Sequence, residues 1–139
     1  MEEIKESKAG EGKVALLVED NEINAEIAMI QLKDMGFEVD WVVNGARAVE
    51  NFGSSEINHY SIVIMDIMMP VMDGLEATRI IRRLGRTDAE SVPIVAITAN
   101  AFPEDKAASF ENGATALITK PYSRKQLQAV IEELFSMEK

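Results

Sequence analysis

Five residues that could do chemistry stand at or just beyond the ends of apolar segments in this sequence. They are three carboxylates, a hydroxyl and an ammonium: Glu19, Asp20, Asp66, Thr98 and Lys120. Clustered carboxylates repel one another unless a cation lies among them, and oxygen ligands without His or Cys suit a hard ion such as Mg²⁺ or Mn²⁺. A hydroxyl and an ammonium beside such an ion would stabilise negative charge on a phosphoryl group. These residue types therefore predict a metal-assisted site for phosphoryl transfer, provided that the fold brings them together.

Asp66 is the best candidate for a nucleophile in this set. It follows the apolar segment IVIM, and the other two acids are expected to lie to one side of it. A carboxylate can attack phosphorus and become an acyl phosphate. Each residue alone has an ordinary alternative, since Asp20 could cap a helix and Lys120 could be a surface lysine. Their shared position at strand ends favours the functional interpretation, whereas we interpret Asp73 as a helix cap.

The elements that must position these residues alternate between strands and helices. Strands are predicted at 14–18, 37–43, 61–65, 92–98 and 115–119, and helices at about 22–35, 46–52, 75–84, 103–112 and 123–137. Continuous apolar strands separated by helices predict a parallel sheet that is covered on both faces. We therefore predict a single doubly wound, flavodoxin-like α/β domain with strand order 2-1-3-4-5 and five flanking helices. Such sheets bind ligands outside the carboxyl ends of their strands, where the five residues are expected.

Length and composition limit the possible functions further. The 139 residues suffice for one domain, which we place at residues 13–139 after a flexible lead-in over residues 1–12. The absence of cysteine excludes thiolate chemistry, and the single histidine, His59, excludes a multi-histidine metal site. A chain without cysteine fits the reducing cytoplasm, and no apolar run is long enough to cross a bilayer. We expect a cytoplasmic location and no direct contact with a membrane.

The net charge of −10 disfavours binding to the phosphates of nucleic acids, so we expect no nucleic-acid partner for this domain. A local exception is a group of arginines with helical spacing: Arg79, Arg82, Arg83 and Arg86. We interpret them as a solvated helix face in preference to a docking patch for an acidic partner.

Four motifs together resemble the receiver domain of bacterial two-component response regulators. They are VEDNEIN (18–24), MDIMMPVMDGLEATRIIR (65–82), ITANAF (97–102) and ITKPY (118–122). They are most similar to receivers attached to hybrid sensor histidine kinases, and the resemblance covers about residues 13–135. It implies a phosphorelay function in which the domain phosphorylates itself from a phosphohistidine donor and relays or signals the phosphoryl group. The implied donor is a histidine kinase or a histidine phosphotransfer domain.

The resemblance also implies a role for each acidic position. Asp66 matches the phosphoacceptor aspartate of the family, and Glu19 and Asp20 match the acidic pair that holds Mg²⁺ together with it. Met68 matches the residue whose backbone carbonyl binds the metal. These matches imply Mg²⁺ as the cofactor.

The remaining matched positions concern the phosphoryl group itself. Thr98 matches the switch hydroxyl that turns toward the phosphoryl group, and Lys120 matches the lysine that bonds one of its oxygens. The bond between Lys120 and Pro121 is often cis in relatives, which an X-Pro bond allows.

One position departs from the pattern of the family. Relatives usually carry Tyr or Phe three residues before the lysine, and that ring moves inward on phosphorylation, whereas this chain has Leu117. The departure leaves open a phosphate relay instead of a conformational switch. It also leaves open a second interpretation, in which the domain serves mainly as a regulatory contact surface inside a larger kinase.

The first predicted helix carries apolar residues in two stripes. One stripe is Ala25, Ala28, Met29, Leu32 and Met35, and the other is Ile23, Ile27 and Ile30. One stripe should face the core, while the other is either buried as well or exposed beside the site as a docking surface for the helices of the donor. If the second stripe is exposed, we expect Ile23, Asn24 and Ile27 to bind the partner.

Overall fold

Strands and helices follow one another along this structure, a computed structural model that describes residues 8–67, 72–99 and 102–136. The strands are β1 (Val14–Val18), β2 (Glu38–Val42), β3 (Ile62–Asp66), β4 (Ile94–Thr98) and β5 (Ala116–Thr119). The helices are α1 (Glu22–Asp34), α2 (Gly45–Ser54), α3 (Gly74–Arg82), α4 (Thr87–Ser91), α5 (Pro103–Glu111) and α6 (Arg124–Ser136). The two longest helices have 13 residues each, and no helix in the described ranges has both the length and the apolar character to cross a membrane.

All five strands are parallel and form one sheet in the order β2-β1-β3-β4-β5. Two of the three interior strands, β3 and β4, are buried at every residue, as expected for a sheet with helices on both faces. The strand order and the parallel pairing confirm the predicted doubly wound fold.

The sheet has one apolar core on each face. On the first face α1 and α6 pack against the strands, with Leu32, Leu127 and Ile131 fully buried. On the second face α2 and α3 pack through Phe52 and Ile81, which are also fully buried. Because both faces are covered, the central strands can meet solvent only at their ends, and the candidate residues follow the carboxyl ends.

Side chains near the helix starts fix where several helices begin. Asn21, Asn44 and Asp73 each accept a hydrogen bond from the backbone amide three residues later, at 2.8–2.9 Å. Ser123 and Gln126 bond each other's backbone amides at the start of α6, a reciprocal capping box. The interpretation of Asp73 as a helix cap is confirmed.

The described residues contain six helices, one more than the five that the sequence predicted. The additional helix, α4, has five residues, little more than one turn, so apolar spacing could not reveal it. Arg86 anchors it, because its guanidinium donates to both carboxylate oxygens of Asp88 and to the carbonyls of Phe52 and Ser55.

Residues 8–12 contact the end of α1 and the start of β2. The amide of Gly10 donates to the carbonyl of Met35 at 2.9 Å, and a Cβ at Gly10 would overlap the ring of Phe37. Lys13 places its ammonium 5.3 Å from the ring centre of Phe135 in α6. Residues 1–7 lie outside the described part of the chain, and the boundary at residue 13 stays a prediction.

Candidate functional site

The carboxyl ends of β1 and β3 bring three acidic side chains together. The strands are neighbours with Val18 opposite Met65, so the residues that follow them meet at one edge of the sheet. One carboxylate oxygen from each of Glu19, Asp20 and Asp66 lies within 4.8 Å of the other two. Glu19 and Asp66 are buried, at 6% and 5% exposure, while Asp20 is exposed.

Lys120 reaches this acidic cluster from the end of β5. Its ammonium lies 3.2 Å from Asp66 Oδ2 and 3.4 Å from Glu19 Oε1. Its backbone amide donates to the carbonyl of Thr98 at 2.7 Å, which fixes the start of the loop that carries it. Burial alone would lower the pKa of Lys120, but the negative charges of Asp66 and Glu19 outweigh burial and raise that pKa. Lys120 is therefore held as a cation beside the carboxylates.

One lysine does not neutralise three carboxylates. Burial and a hydrogen bond with Asp66 raise the pKa of Glu19 from its ordinary value of 4.5 to about 7. Burial is the larger cause because it penalises the charged carboxylate, and the negative charge of Asp66 adds to the shift. The donor set, three carboxylates with ligand atoms close together, therefore fits a hard divalent cation, which would relieve the same charge.

Thr98 ends β4 next to the strand that carries Asp66. Asp66 pairs with Ile97, so Thr98 lies one residue further along the same edge, and it is 4% exposed. The peptide bond between Lys120 and Pro121 is cis. Met68 lies outside the described residues, so the position of its carbonyl stays a prediction.

Leu117 lies on β5 opposite Ala96 of β4. It is partly buried against a small apolar cluster that contains Ile67, Ala96 and Ala114. The position that the family pattern gives to an aromatic ring therefore carries an aliphatic side chain, which packs beside β4.

Two residues that the sequence reasoning missed support the backbone of the site. Gly74 begins α3 so close to the end of β3 that a Cβ there would overlap the carbonyl oxygen of Asp66 and the Cα of Ile67. Trp41, on β2, donates its indole N–H to the carbonyl of Glu19 at 2.7 Å. The Asp-Gly pair at 73–74 was the available signal for the glycine, whereas nothing in the sequence indicated the indole contact.

Helix α1 presents its second apolar stripe to solvent. Ala25, Ala28 and Leu32 are buried on the core side. In contrast, Ile23 is 68% exposed and Ile27 is 51% exposed, so the alternative in which both stripes are buried is wrong.

A groove of about 410 Å³ lies between this helix and the loop after β5. Its lining consists of Glu19, Asn24, Ile27, Gln31, Lys120, Pro121 and Tyr122. Two members of the charged cluster, Glu19 and Lys120, therefore line the same groove as three residues of α1, which are Asn24, Ile27 and Gln31. A molecule seated in the groove would have access to the charged site.

Comparisons with known proteins identify relatives over most of the chain. The sequence model of a family described as "Response regulator receiver domain" matches residues 15–132. "Hybrid signal transduction histidine kinase L" of Dictyostelium discoideum is 39% identical over 123 residues, which are 88% of this chain and 7% of that protein. "Two-component system protein A" of Emericella nidulans is 40% identical over 124 residues, which are 88% of this chain and 17% of that protein. The chain thus spans only a small part of the curated relatives that it matches.

Solved structures with the same fold include receiver domains of sensor kinases. The receiver domain of a sensor histidine kinase from Pseudomonas aeruginosa PAO1, solved with a magnesium ion coordinated in its active site cleft, is 33% identical with a TM-score of 0.79. That match covers 89% of this chain and 98% of the other. The signal receiver domain of a signal transduction histidine kinase from Syntrophus aciditrophicus is 31% identical with a TM-score of 0.79, covering 91% and 92% of the two chains.

Proposed function

The chain belongs to the response regulator receiver domain family, the phosphoacceptor domain of two-component systems, and we propose that its Asp66 accepts a phosphoryl group from a phosphohistidine donor. The geometry around Asp66 carries this proposal. Its buried carboxylate lies 3.2 Å from the ammonium of Lys120 and in a cluster with two further acids. A nucleophile, a cation and ligands for a metal ion thus lie together at the carboxyl edge of the sheet.

The transfer requires one bond to form and one to break. An Asp66 carboxylate oxygen attacks phosphorus, the P–N bond of the phosphohistidine breaks, and the imidazole of the donor leaves as the acyl phosphate forms. Lys120 then turns its N–H donors from the carboxylates to a phosphoryl oxygen, and the Thr98 hydroxyl donates to another. Their work is positioning and charge stabilisation, which dominate phosphoryl transfer.

We propose Mg²⁺ as the cofactor, held by the carboxylates of Glu19, Asp20 and Asp66 with a backbone carbonyl from Met68. When bound, Mg²⁺ neutralises charge that develops on the phosphoryl oxygens. The all-oxygen donor set and the excess of negative charge support this assignment, as does the magnesium ion reported for the Pseudomonas receiver domain. Nothing in the comparisons favours Mn²⁺.

We further propose that the donor is a histidine kinase or a histidine phosphotransfer domain that docks on the exposed face of α1. Ile23 and Ile27 present apolar surface to solvent, and Asn24 and Ile27 line the groove that leads to Lys120. A donor helix seated on this face would bring a phosphohistidine to the mouth of the site.

The position of Leu117 supports a relay over a conformational switch. Its side chain packs against Ile67 and Ala96, and it offers no ring that could move inward when Asp66 is phosphorylated. We propose that the domain passes its phosphoryl group on to a further histidine. A cytoplasmic location stays a prediction.

Phosphorylation by a small donor tests the core of the proposal. The protein and its Asp66→Asn variant are incubated with acetyl phosphate and Mg²⁺, and the intact mass is measured with and without a chelator. We expect one added phosphoryl group on the wild type only, and none when the chelator is present. A folded wild type that gains no phosphoryl group, either from acetyl phosphate or from a phosphorylated histidine phosphotransfer domain, would favour the contact-surface function instead.

Charge substitution tests the docking face. In Ile27→Lys we expect phosphotransfer from a phosphohistidine donor to slow by about tenfold, because a central apolar contact is lost, while phosphorylation by acetyl phosphate is unchanged. Ile57→Lys is the matched control, since Ile57 is 55% exposed in the loop before β3. Equal slowing by both variants, or no slowing in Ile27→Lys, would remove this face as the docking site.

A further inference from the structure

Trp41 is the only tryptophan of the chain, and it lies beside the site without belonging to the charged cluster. It stands on β2 opposite Leu17 of β1, two residues before Glu19, and its ring is partly buried against the core on the α1 side of the sheet. From this position the indole N–H reaches forward along β1 and donates to the Glu19 carbonyl at 2.7 Å.

The Glu19 carbonyl belongs to the peptide unit that joins the two acids Glu19 and Asp20. The last backbone bond between β1 and β2 runs from the Glu19 amide to the carbonyl of Val42, at 3.1 Å, so the sheet ladder stops just before this unit. Among the described residues no backbone amide donates to the Glu19 carbonyl. The indole N–H of Trp41 therefore supplies the hydrogen bond to the Glu19 carbonyl that a backbone amide of β2 would supply inside the sheet.

Glu19 and Asp20 differ in how many contacts their carboxylates make. The Glu19 carboxylate also contacts Lys120 and accepts from the amide of Asn21 at 3.2 Å. Asp20 is exposed, and in the described ranges its carboxylate has no hydrogen bond and no ion pair. No polar contact of its own side chain with a described residue therefore holds Asp20, whereas the indole bond holds the peptide unit from which that side chain departs.

We propose that Trp41 is a positioning residue that aims the acidic pair, Asp20 above all, at the metal site. The inference rests on the proposed function, because it presumes that the acids bind Mg²⁺. Groups that orient metal ligands from outside the coordination sphere commonly change metal affinity by about ten- to a hundredfold when they are removed. We expect an effect at the lower end of this range, because Trp41 acts on the backbone of its ligands.

Because the chain has a single tryptophan, protein produced in cells grown on a tryptophan analogue is altered at Trp41 alone. An analogue with sulfur in place of the indole N–H keeps the shape of the ring and removes only the donor. We expect its Mg²⁺ affinity, measured by calorimetry, to fall about tenfold. The Mg²⁺ concentration for half-maximal phosphorylation by acetyl phosphate should rise by the same factor, while the rate at saturating Mg²⁺ stays unchanged. Trp41→Phe should behave in the same way.

Tyr60→Phe is the matched control, because it deletes the 2.8 Å hydrogen bond from the Tyr60 hydroxyl to Asp40 on β2. Asp40 pairs with Leu16, so it lies one residue further from the acids than Trp41 does. This variant should lower the free energy of unfolding without changing Mg²⁺ affinity. In the metal-free wild type, the single indole N–H signal should exchange slowly with solvent, a readout that needs no metal and no activity.

The outcomes separate the two proposals. A wild type that binds no Mg²⁺ would overturn the proposed cofactor and the role of Trp41 with it. A wild type that binds Mg²⁺ with the same affinity as the sulfur analogue would overturn the role of Trp41 alone. A loss of affinity in Tyr60→Phe as large as that in the analogue would show a general effect of destabilisation and would also overturn it.

Discussion

Two buried charged clusters lie at opposite ends of the sheet, and they differ in how completely their charges are matched. Before β3 and β4, Arg86 donates to Asp88 and to several backbone carbonyls, and the backbone amide of Asn58 also donates to Asp88. Burial would raise the pKa of Asp88, but the hydrogen bonds from Arg86 and Asn58 lower it. Each charge in this cluster has a partner.

The cluster at the carboxyl end of the sheet is unbalanced. Glu19 and Asp66 both contact the ammonium of Lys120, the exposed carboxylate of Asp20 lies close to them, and the pKa of Glu19 rises to about 7. Bringing buried carboxylates this close together is costly, so a protein selected only for stability would add a cation for each of them or remove them. The comparison indicates that the Arg86 cluster holds the fold together, whereas the acidic cluster costs stability, as expected for the proposed site of a cation and a phosphoryl group.

The largest expected effect on stability comes from breaking the balanced cluster, which is the cluster of Arg86 and Asp88. Arg86→Met leaves Asp88 buried without its cation and several carbonyls without donors, so we expect the free energy of unfolding to fall by about 3–5 kcal/mol in urea titrations. Arg83→Met is the control, because Arg83 is exposed, and it should change stability little. A loss below about 1 kcal/mol in Arg86→Met would mean that the balanced cluster is not structural.

A smaller effect on stability is expected at Gly74, where the start of α3 approaches the backbone of Asp66. The Cβ of Gly74→Ala would push against the backbone of Asp66 and Ile67, so we expect a loss of about 1–3 kcal/mol in the free energy of unfolding. The same shift should weaken Mg²⁺ binding, because it displaces Asp66. Gly53→Ala in α2, where a Cβ would meet no atom within 4 Å, should instead gain about 0.5–1 kcal/mol. Equal effects of the two variants would show that the close approach at Gly74 is unimportant.

The last expected effect is a gain in stability at the acidic cluster. Because the pKa of Glu19 is about 7 in the folded protein and near 4.5 when unfolded, the folded state binds more protons between these values. Stability of the metal-free protein should therefore fall as pH rises from about 5 to 8. Glu19→Gln removes the ionisable group, so it should be more stable than the wild type at pH 8, by on the order of 2 kcal/mol.

Thermal or urea unfolding across this pH range, with Mg²⁺ omitted, measures the effect. Glu22→Gln is the control, since Glu22 is exposed in the first turn of α1, and its profile should follow the wild type. A Glu19→Gln variant that is no more stable than the wild type at pH 8 would show that the acidic cluster carries no excess charge.

The fold could be predicted because each signal in it is local. Apolar runs, caps and glycines mark where strands and helices begin and end, and parallel pairing follows from strands that are apolar throughout. The short helix α4 was missed because five residues carry no period, and Arg86 stabilises it through residues far away in the sequence.

The arginine group shows where local spacing fails. The interpretation as a solvated face holds for Arg79 and Arg83, which are exposed, but it is wrong for Arg82 and Arg86. Arg82 donates to the carbonyls of Gly113 and Ala89 at 2.9 and 3.0 Å. Helical spacing indicates which side chains share a face, but only the packing of other segments decides whether that face meets solvent or protein carbonyls.

The sequence by itself determined the doubly wound fold and the identity of the residues at the strand ends, because in a parallel sheet every such end lies on the same edge. Tertiary structure alone decided how those residues interact. It set the distances between Lys120 and the carboxylates, exposed the second stripe of α1, and placed the indole of Trp41 on the Glu19 carbonyl. Burial, charge and hydrogen bonding depend on neighbours brought together from distant parts of the chain, and spacing along the sequence does not contain those neighbours.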